Sequence, residues 1–319
     1  MQQYILRRLL ISIPTLLIIS MIIFFLINSA PGDPLLQMID PEIASMGDAW
    51  LERERERLDL DKPIHVRYGI WLTSTLTGNL GYSYNSKRPV SEVIVEKLPN
   101  TVELMGCALL IAMGVGLPIG IASAIKQYSG LDYIVTGISF VFLAMPVFFF
   151  AMLMIYIFSI KLDMFPAGGL QSLGQQTSLW DHLWHLVLPA SMLGLHDAAT
   201  WARYARSSML EVIRQDFVTT IRAKGFKEGY ILFRHALPNA VGPLITIFGL
   251  SLPTLIAGAV ITETVFAWPG IGKLAVEAVT QRDYPILMGV TSLIAVVVLI
   301  SNLLADIGYS LFDPRIRYE

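Results

Sequence analysis

The sequence predicts an all-α integral membrane protein with six transmembrane helices, and three observations predict it. Hydrophobic residues make up 54% of the chain and charged ones 15%, against roughly 45–50% and 25% in soluble domains. Six stretches reach or approach the roughly 20 apolar residues that a helix needs to cross a hydrocarbon core: Leu9–Ile27, Leu104–Ile125, Ile134–Ile160, Leu186–Tyr204, Val241–Thr262 and Ile286–Ile307. Lysine and arginine fall unequally on the two sides of these spans, as the positive-inside bias requires.

Residues 1–29 form the first span. Arg7-Arg8 before an apolar run resembles a signal peptide, but the run is too long for a signal core and Asn28-Ser29-Ala30 is a poor cleavage site, so an uncleaved helix is expected. Residues 30–98 read as an extracytoplasmic segment. Pro31, Pro34 and Pro41 break the chain there, and Trp50–Leu60 carries alternating charges that support a solvated helix. Residues 99–307 hold the remaining five spans, and residues 308–319 a cytoplasmic tail. His196, Asp197 and Arg203 interrupt the fourth span. Gly114, Gly116 and Gly120 include a small pair four residues apart, suited to close helix packing.

With the N-terminus inside, the short inner segments hold Arg7, Arg8, Lys126, the basic residues from Arg203 to Arg234, and Arg315 and Arg317. The short outer loops hold only Lys161, Lys273 and Arg282. The long segment from Ala30 to Asn100 carries eight basic and eleven acidic residues, and long loops weigh little in this rule. Both termini are therefore expected to be cytoplasmic. The net charge of −2 points to no nucleic-acid partner, because the basic residues follow the bilayer. One cysteine, Cys107, excludes an intrachain disulfide and a cysteine metal cluster.

The segment 206–238 is polar and basic between two apolar spans. Leu210, Ile213, Phe217 and Ile221 recur at helical spacing, with Glu211, Arg214, Gln215 and Arg222 on other faces. Lys224-Gly225 is a helix stop: a cation in the last turn, then a residue free to take positive φ. A second amphipathic piece, Phe226–Leu237, runs up to Pro238, which opens the next span. Two short helices joined at Gly225 would form an elbow on the membrane surface. Such an elbow would serve either to dock a soluble partner or to bind lipid headgroups.

The spacing of Gly225 to Leu237-Pro238 resembles the cytoplasmic coupling loop of ABC importer permeases. The wider sequence is similar to the dipeptide/oligopeptide/nickel branch of that family, first permease subunit of the pair. The segments that carry the resemblance begin with YILRRLLISIPTLL, Ala30–Pro34 (APGDP), Leu60–Leu72 (LDKPIHVRYGIWL), GNLGYSY (78–84) and PNTVEL (99–104). They continue with RSSMLEV (206–212), RAKG (222–225), RHALPNA (234–240), ETVFAWPGIG (263–272), RDYP (282–285) and DPRIR (313–317). The family's loop pattern has Glu-Ala-Ala six residues before the glycine; here those positions read Thr219, Thr220 and Ile221, and His235 replaces an isoleucine.

The resemblance implies a type I importer core that translocates peptides, or alternatively nickel or another small solute. It implies a second homologous permease, two ATPase subunits, an extracytoplasmic substrate-binding protein and the surrounding bilayer as partners. Arg222, Ala223, Lys224, Gly225, Phe226, Leu237 and Pro238 would form the ATPase-coupling surface. ATP and magnesium would sit on the ATPase partners, with no cofactor on this chain and no catalytic residue. The residues agree with that division, since no G-x-x-x-x-G-K-[ST] loop occurs: near Gly272-Lys273 the first glycine is replaced by Ala267, and Leu274 follows the lysine.

No HExxH pair is present either. Trp180, Asp181, His182, Trp184 and His185 form the remaining cluster. Two histidines three residues apart share a helix face and could take a divalent metal. The expectation adopted is that Asp181 caps the helix while the tryptophans anchor it in the interface. Charged groups inside spans, Asp197, Arg203, Glu263 and Asp306, are functional candidates by location. A secondary transporter would need more buried carboxylates at mid-span than these.

Overall fold

The computed structural model describes residues 2–29, 48–172, 174, 178–257 and 260–312. Helices dominate, and among the described residues the only β pairing is an isolated bridge between Tyr82 and Pro89. In chain order the helices are α1 (Gln2–Ser29), α2 (Asp48–Arg57), α3 (Ile64–Leu76), α4 (Val90–Ile125), α5 (Gly130–Ala144), α6 (Val147–Met154), α7 (Leu179–Ile213), α8 (Asp216–Ala223), α9 (Glu228–Tyr230), α10 (Leu237–Ala257), α11 (Val260–Val265), α12 (Ile271–Thr280) and α13 (Tyr284–Phe312). Wide π-type turns extend α6 through Ile155–Lys161 and join α9 to α10 through Ile231–Ala236.

Length and apolarity qualify three described helices to cross a membrane: Leu10–Ser29, Val90–Ile125 and Tyr284–Leu304. The expected third span is not one straight helix. It breaks at Met145-Pro146 into α5 and α6 with its π-type extension, bent by 105°. Pro146 lacks an amide hydrogen and disfavours helical geometry at Met145, whose ψ is 126°. The fourth and fifth expected spans correspond to α7 and α10. Neither passes the same test among the described residues, so three helices plus one bent pair qualify rather than six.

Other expected boundaries also shift. α4 starts at Val90 and runs unbroken through Pro99, so the helix begins well before the apolar stretch does. α7 spans 35 residues to Ile213, absorbing Arg206–Ile213 into the span helix. The alternating-charge helix is α2. The segment around Pro31, Pro34 and Pro41, Gly258, and the tail with Arg315 and Arg317 lie outside the described residues, as does the side chain of Asp306.

The chain forms two compact units. One comprises Met1–Pro99 with Gly270–Leu299, the other Asn100–Pro269 with Ile300–Glu319. In the first, Phe24 of α1, Tyr68 of α3 and Met288 of α13 form an apolar contact, and Val90, Ile94, Ile271, Ile286 and Val290 form a larger core. Asp283 starts α13. Its carboxylate accepts from the Ile286 amide at 3.3 Å and from the Ser83 hydroxyl at 2.5 Å.

In the second unit α4 packs closely on α7. A Cβ on Gly116 would meet Ala198 O and Trp201 Cβ at 2.7 Å, and one on Gly120 would run into the Ala202 backbone. The small pair four residues apart is thus Gly116 and Gly120, and nothing lies near Gly114. Close backbone approach of this kind replaces the hydrophobic drive that is missing between helices in lipid.

Candidate functional site

The segment 206–238, expected from sequence to couple to a partner, folds as an elbow on a packed base. α7 stops at Ile213, Arg214 closes it, and Gln215 turns extended (ψ 150°) to start α8. α8 ends at Ala223 with Lys224 as its C-cap residue, and Gly225 takes φ +80°. That is the left-handed region the helix stop signal predicts. The chain then enters α9 at Lys227–Glu228, passes through the π-type turn, and becomes α10 without a stop. The second amphipathic piece therefore does not end at Pro238. Pro238 falls just past the π-type turn, inside a helical run that continues through it.

The apolar stripe of the elbow faces protein. Val218, Ile231, Ala236 and Ala240 are fully buried, and Met209, Val212 and Leu232 are buried with them, as is Ala124 at the end of α4. Phe217, Ile221, Ile213, Leu210 and Leu237 pack against them. The Ser208 hydroxyl donates to Ala240 O at 2.7 Å, tying α7 to α10 in the same base. The helical stripe of the elbow is thus buried in protein, while Phe226, Tyr230 and Phe233 stay exposed.

The residues from Arg222 to Tyr230 form one exposed run. Of the seven expected coupling residues, Arg222, Ala223, Lys224, Gly225 and Phe226 lie on this apex. Leu237 belongs to the packed base, and Pro238 is exposed on α10. Across the turn the Arg222 guanidinium donates to both Glu228 oxygens, at 3.0 and 2.5 Å. The hydrogen bond from Arg222 holds the Glu228 carboxyl below its ordinary range, and Glu228 in return raises Arg222. Phe226 stacks on Tyr230 at 5.3 Å between centroids, and Tyr230 meets the edge of His235 at 5.3 Å. Glu228, Tyr230 and Phe233 were not picked out from sequence, because they lie beyond Gly225 and share no helical register with Arg222.

A second connection is clamped to the same helix. Asp132, buried at the start of α5, accepts from Arg206 Nε at 2.6 Å and Nη2 at 2.8 Å, from the Tyr128 amide at 3.0 Å, and from the Ser123 hydroxyl. The Asp132 amide donates to Ser129 Oγ, the N-cap of α5. The Ser129-x-x-Asp132 spacing is a capping signature and was the one available signal for this residue. The apex thus sits on a base packed against α7 and α10 through apolar side chains, and α7 is tied to α5 through an ion pair.

The remaining candidates separate. Ser178, not Asp181, caps α7, its hydroxyl accepting from the Trp180 amide. Asp181 instead accepts from the Ser172 amide and hydroxyl at 2.7 and 2.8 Å, bonds that hold its carboxyl below the ordinary range. His182 Nε2 lies 2.8–2.9 Å from both Glu103 oxygens, while His185 Nδ1 meets Asp181 O at 2.8 Å. The two rings therefore have different partners, and among the described residues no group of three or more His, Cys, Asp or Glu converges as a metal site would. Glu263 is fully buried and accepts from the Thr101 hydroxyl at 2.7 Å. Trp268, also fully buried, donates from Nε1 to Asn100 O at 2.9 Å. Arg203 lies over the Tyr204 ring, and Asp197 lies 3.6 Å from His196 Nδ1.

Two family models match the chain. Residues 116–318 match the binding-protein-dependent transport system inner membrane component, and residues 1–105 match the N-terminal part of such membrane components. The oligopeptide transport system permease protein AppB of Bacillus subtilis (strain 168) is 45% identical over 319 residues, covering all of both chains. The dipeptide transport system permease protein DppB of Escherichia coli (strain K12) is 35% identical over 345 residues, again covering both fully. Among solved structures, a chain of the inward-facing MetNI methionine ABC transporter aligns with TM-score 0.58 at 18% identity, over 70% of this chain and 97% of that one. At that identity the likeness speaks for the fold alone. With the family models matched along both parts of the sequence and relatives aligned end to end, the chain belongs to the binding-protein-dependent transport system inner membrane components, the permeases of ABC importers.

Proposed function

We propose that this permease forms half of the membrane pathway of a peptide importer driven by ATP hydrolysis on partner chains. The full-length identity to an oligopeptide permease supports the choice of cargo. The observation that carries the mechanism is the elbow: its apolar face is buried against α7 and α10 while its apex presents Lys224, Phe226, Lys227 and Tyr230 to solvent. A surface element so anchored transmits force instead of floating on the bilayer.

In this reading the assembly holds a second homologous permease, two ATPase subunits that bind ATP and magnesium, and an extracytoplasmic binding protein that confers most selectivity. α7 and α10 complete six spans, both termini and the 206–238 loop are cytoplasmic, and ATPase closure moves the Gly225 apex to alternate access across the membrane. The basic residues of the inner segments support this orientation.

The test is purification of the tagged chain with its co-expressed partners, followed by reconstitution in vesicles with the binding protein. ATP-dependent uptake of labelled oligopeptide, insensitive to collapse of ion gradients, is expected. Uptake of nickel but not peptide would move the assignment to the metal branch. Uptake driven by an ion gradient with no ATPase bound would overturn it.

A further inference from the structure

Near the middle of α7, Asp197 stands 18 residues after Leu179 and 16 before Ile213, about 27 and 24 Å from the two helix ends at 1.5 Å per residue. Its side chain is 50% exposed, and among the described residues its ionisable partner is His196, with Nδ1 at 3.6 Å. It borders a cavity of about 200 Å³ between α4, α7 and α10. Met105, Ala108, Leu109, Trp201 and Ile247 supply the apolar wall, and Thr200 and Ser251 the hydroxyls.

A carboxylate at this depth is costly against lipid and is found facing a water-filled cavity or a transport path. Burial against a fixed cation would be the structural solution, and the same protein displays it elsewhere. Asp132 is held by Arg206 with only 4% of its side chain exposed. Asp197 is built the other way, open to a cavity and, among the described residues, without a guanidinium or ammonium partner.

We infer that Asp197 lines the translocation path and transiently holds the ammonium group of a peptide's amino terminus. The inference rests on the reading of the cargo as a peptide. Peptides of varied sequence share a terminal ammonium, so one carboxylate beside a hydroxyl and an apolar wall binds them without selecting side chains. A single charge, with no second one to form a clamp, holds the cargo loosely enough to release it.

The experiment uses the reconstituted complex and labelled tri-alanine delivered by the binding protein. Asp197→Asn keeps the shape and removes the charge; uptake at sub-saturating peptide is expected to fall about tenfold, the scale of one hydrogen bond to a charged group. Asp197→Glu is expected to restore most of it, and co-purification of the ATPases reports that each variant assembles. In a Cys107→Ser background, Asp197→Cys is expected to react with a cationic, water-soluble methanethiosulfonate during turnover, and tri-alanine is expected to slow that reaction. Wild-type uptake by Asp197→Asn, or a cysteine at 197 that stays unreactive in the assembled complex, overturns the inference and leaves the importer assignment standing. Failure of the unmodified complex to take up tri-alanine removes the peptide reading, and this inference with it.

Discussion

Replacing Gly225 isolates backbone conformation as the quantity that positions the apex of the elbow, the proposed ATPase contact. Its φ is +80°, and a Cβ built there meets no atom within 4 Å. The cost of a side chain is therefore conformational and not steric. A left-handed L-residue costs about 1–2 kcal/mol, with β-branched valine at or above the upper end and asparagine below it. The strain is relieved if φ turns negative, which redirects the chain into Phe226 and breaks its stacking on Tyr230 and the Arg222–Glu228 bridge across the turn. A penalty of about 2 kcal/mol depopulates the native apex roughly 30-fold relative to its competitors. Because the base is anchored by Val218 and Ile231, both fully buried, membrane insertion and assembly of the helices are expected to survive. The assay is crosslinking of a Phe226→Cys variant to the ATPase partner, read beside ligand-stimulated ATP hydrolysis. Both are expected to fall in the order glycine, asparagine, alanine, valine. Equal behaviour of Gly225→Val and Gly225→Asn, with either at wild-type level, would refute the argument from φ.

Two further outcomes follow from the ion pairs. Removing the partner of a buried pair costs roughly 3–5 kcal/mol, and Arg206 keeps 27% exposure, so Asp132→Ala is expected at the low end, about 3 kcal/mol. A double-mutant cycle with Arg206→Met, followed by thermal unfolding in detergent, should show a coupling energy above about 1 kcal/mol; additivity would remove the clamp between α5 and α7. Glu228 has a lowered folded pKa because Arg222 hydrogen-bonds it. Its contribution is therefore complete above the unfolded carboxylate value of about 4.3 and lost as pH falls through the folded one. Protease sensitivity of the elbow should rise on acidification in the wild type and stay flat in Glu228→Gln. The amplitude should be modest, because both side chains are largely exposed.

Much of this molecule was legible as a string because the bilayer imposes a one-dimensional rule. The apolar runs of α1, α4 and α13 are read from local composition, since each residue's transfer cost depends on its own chemistry. Gly225 was legible for a related reason: Lys224-Gly225 after an amphipathic stretch is a local stop signal, and φ is a property of one residue. The resemblance to importer permeases likewise rested on short ordered segments that require no contact between them.

Tertiary structure decided what depends on partners distant in sequence. Pro146 was visible, but whether a proline kinks or breaks a span depends on what receives the freed backbone groups, and here the chain turns by 105°. The stripe of Leu210, Ile213, Phe217 and Ile221 suited lipid or protein equally until Ile231, Ala236 and the end of α4 were seen to pack with it. Asp132 and Arg206 lie 74 residues apart, and no periodicity links them. Asp197 and Asp132 are the same residue type near apolar runs. One is locked to a guanidinium and the other opens on a cavity, because the side chain sets the charge and only the surrounding helices set the dielectric and the partners that determine its use.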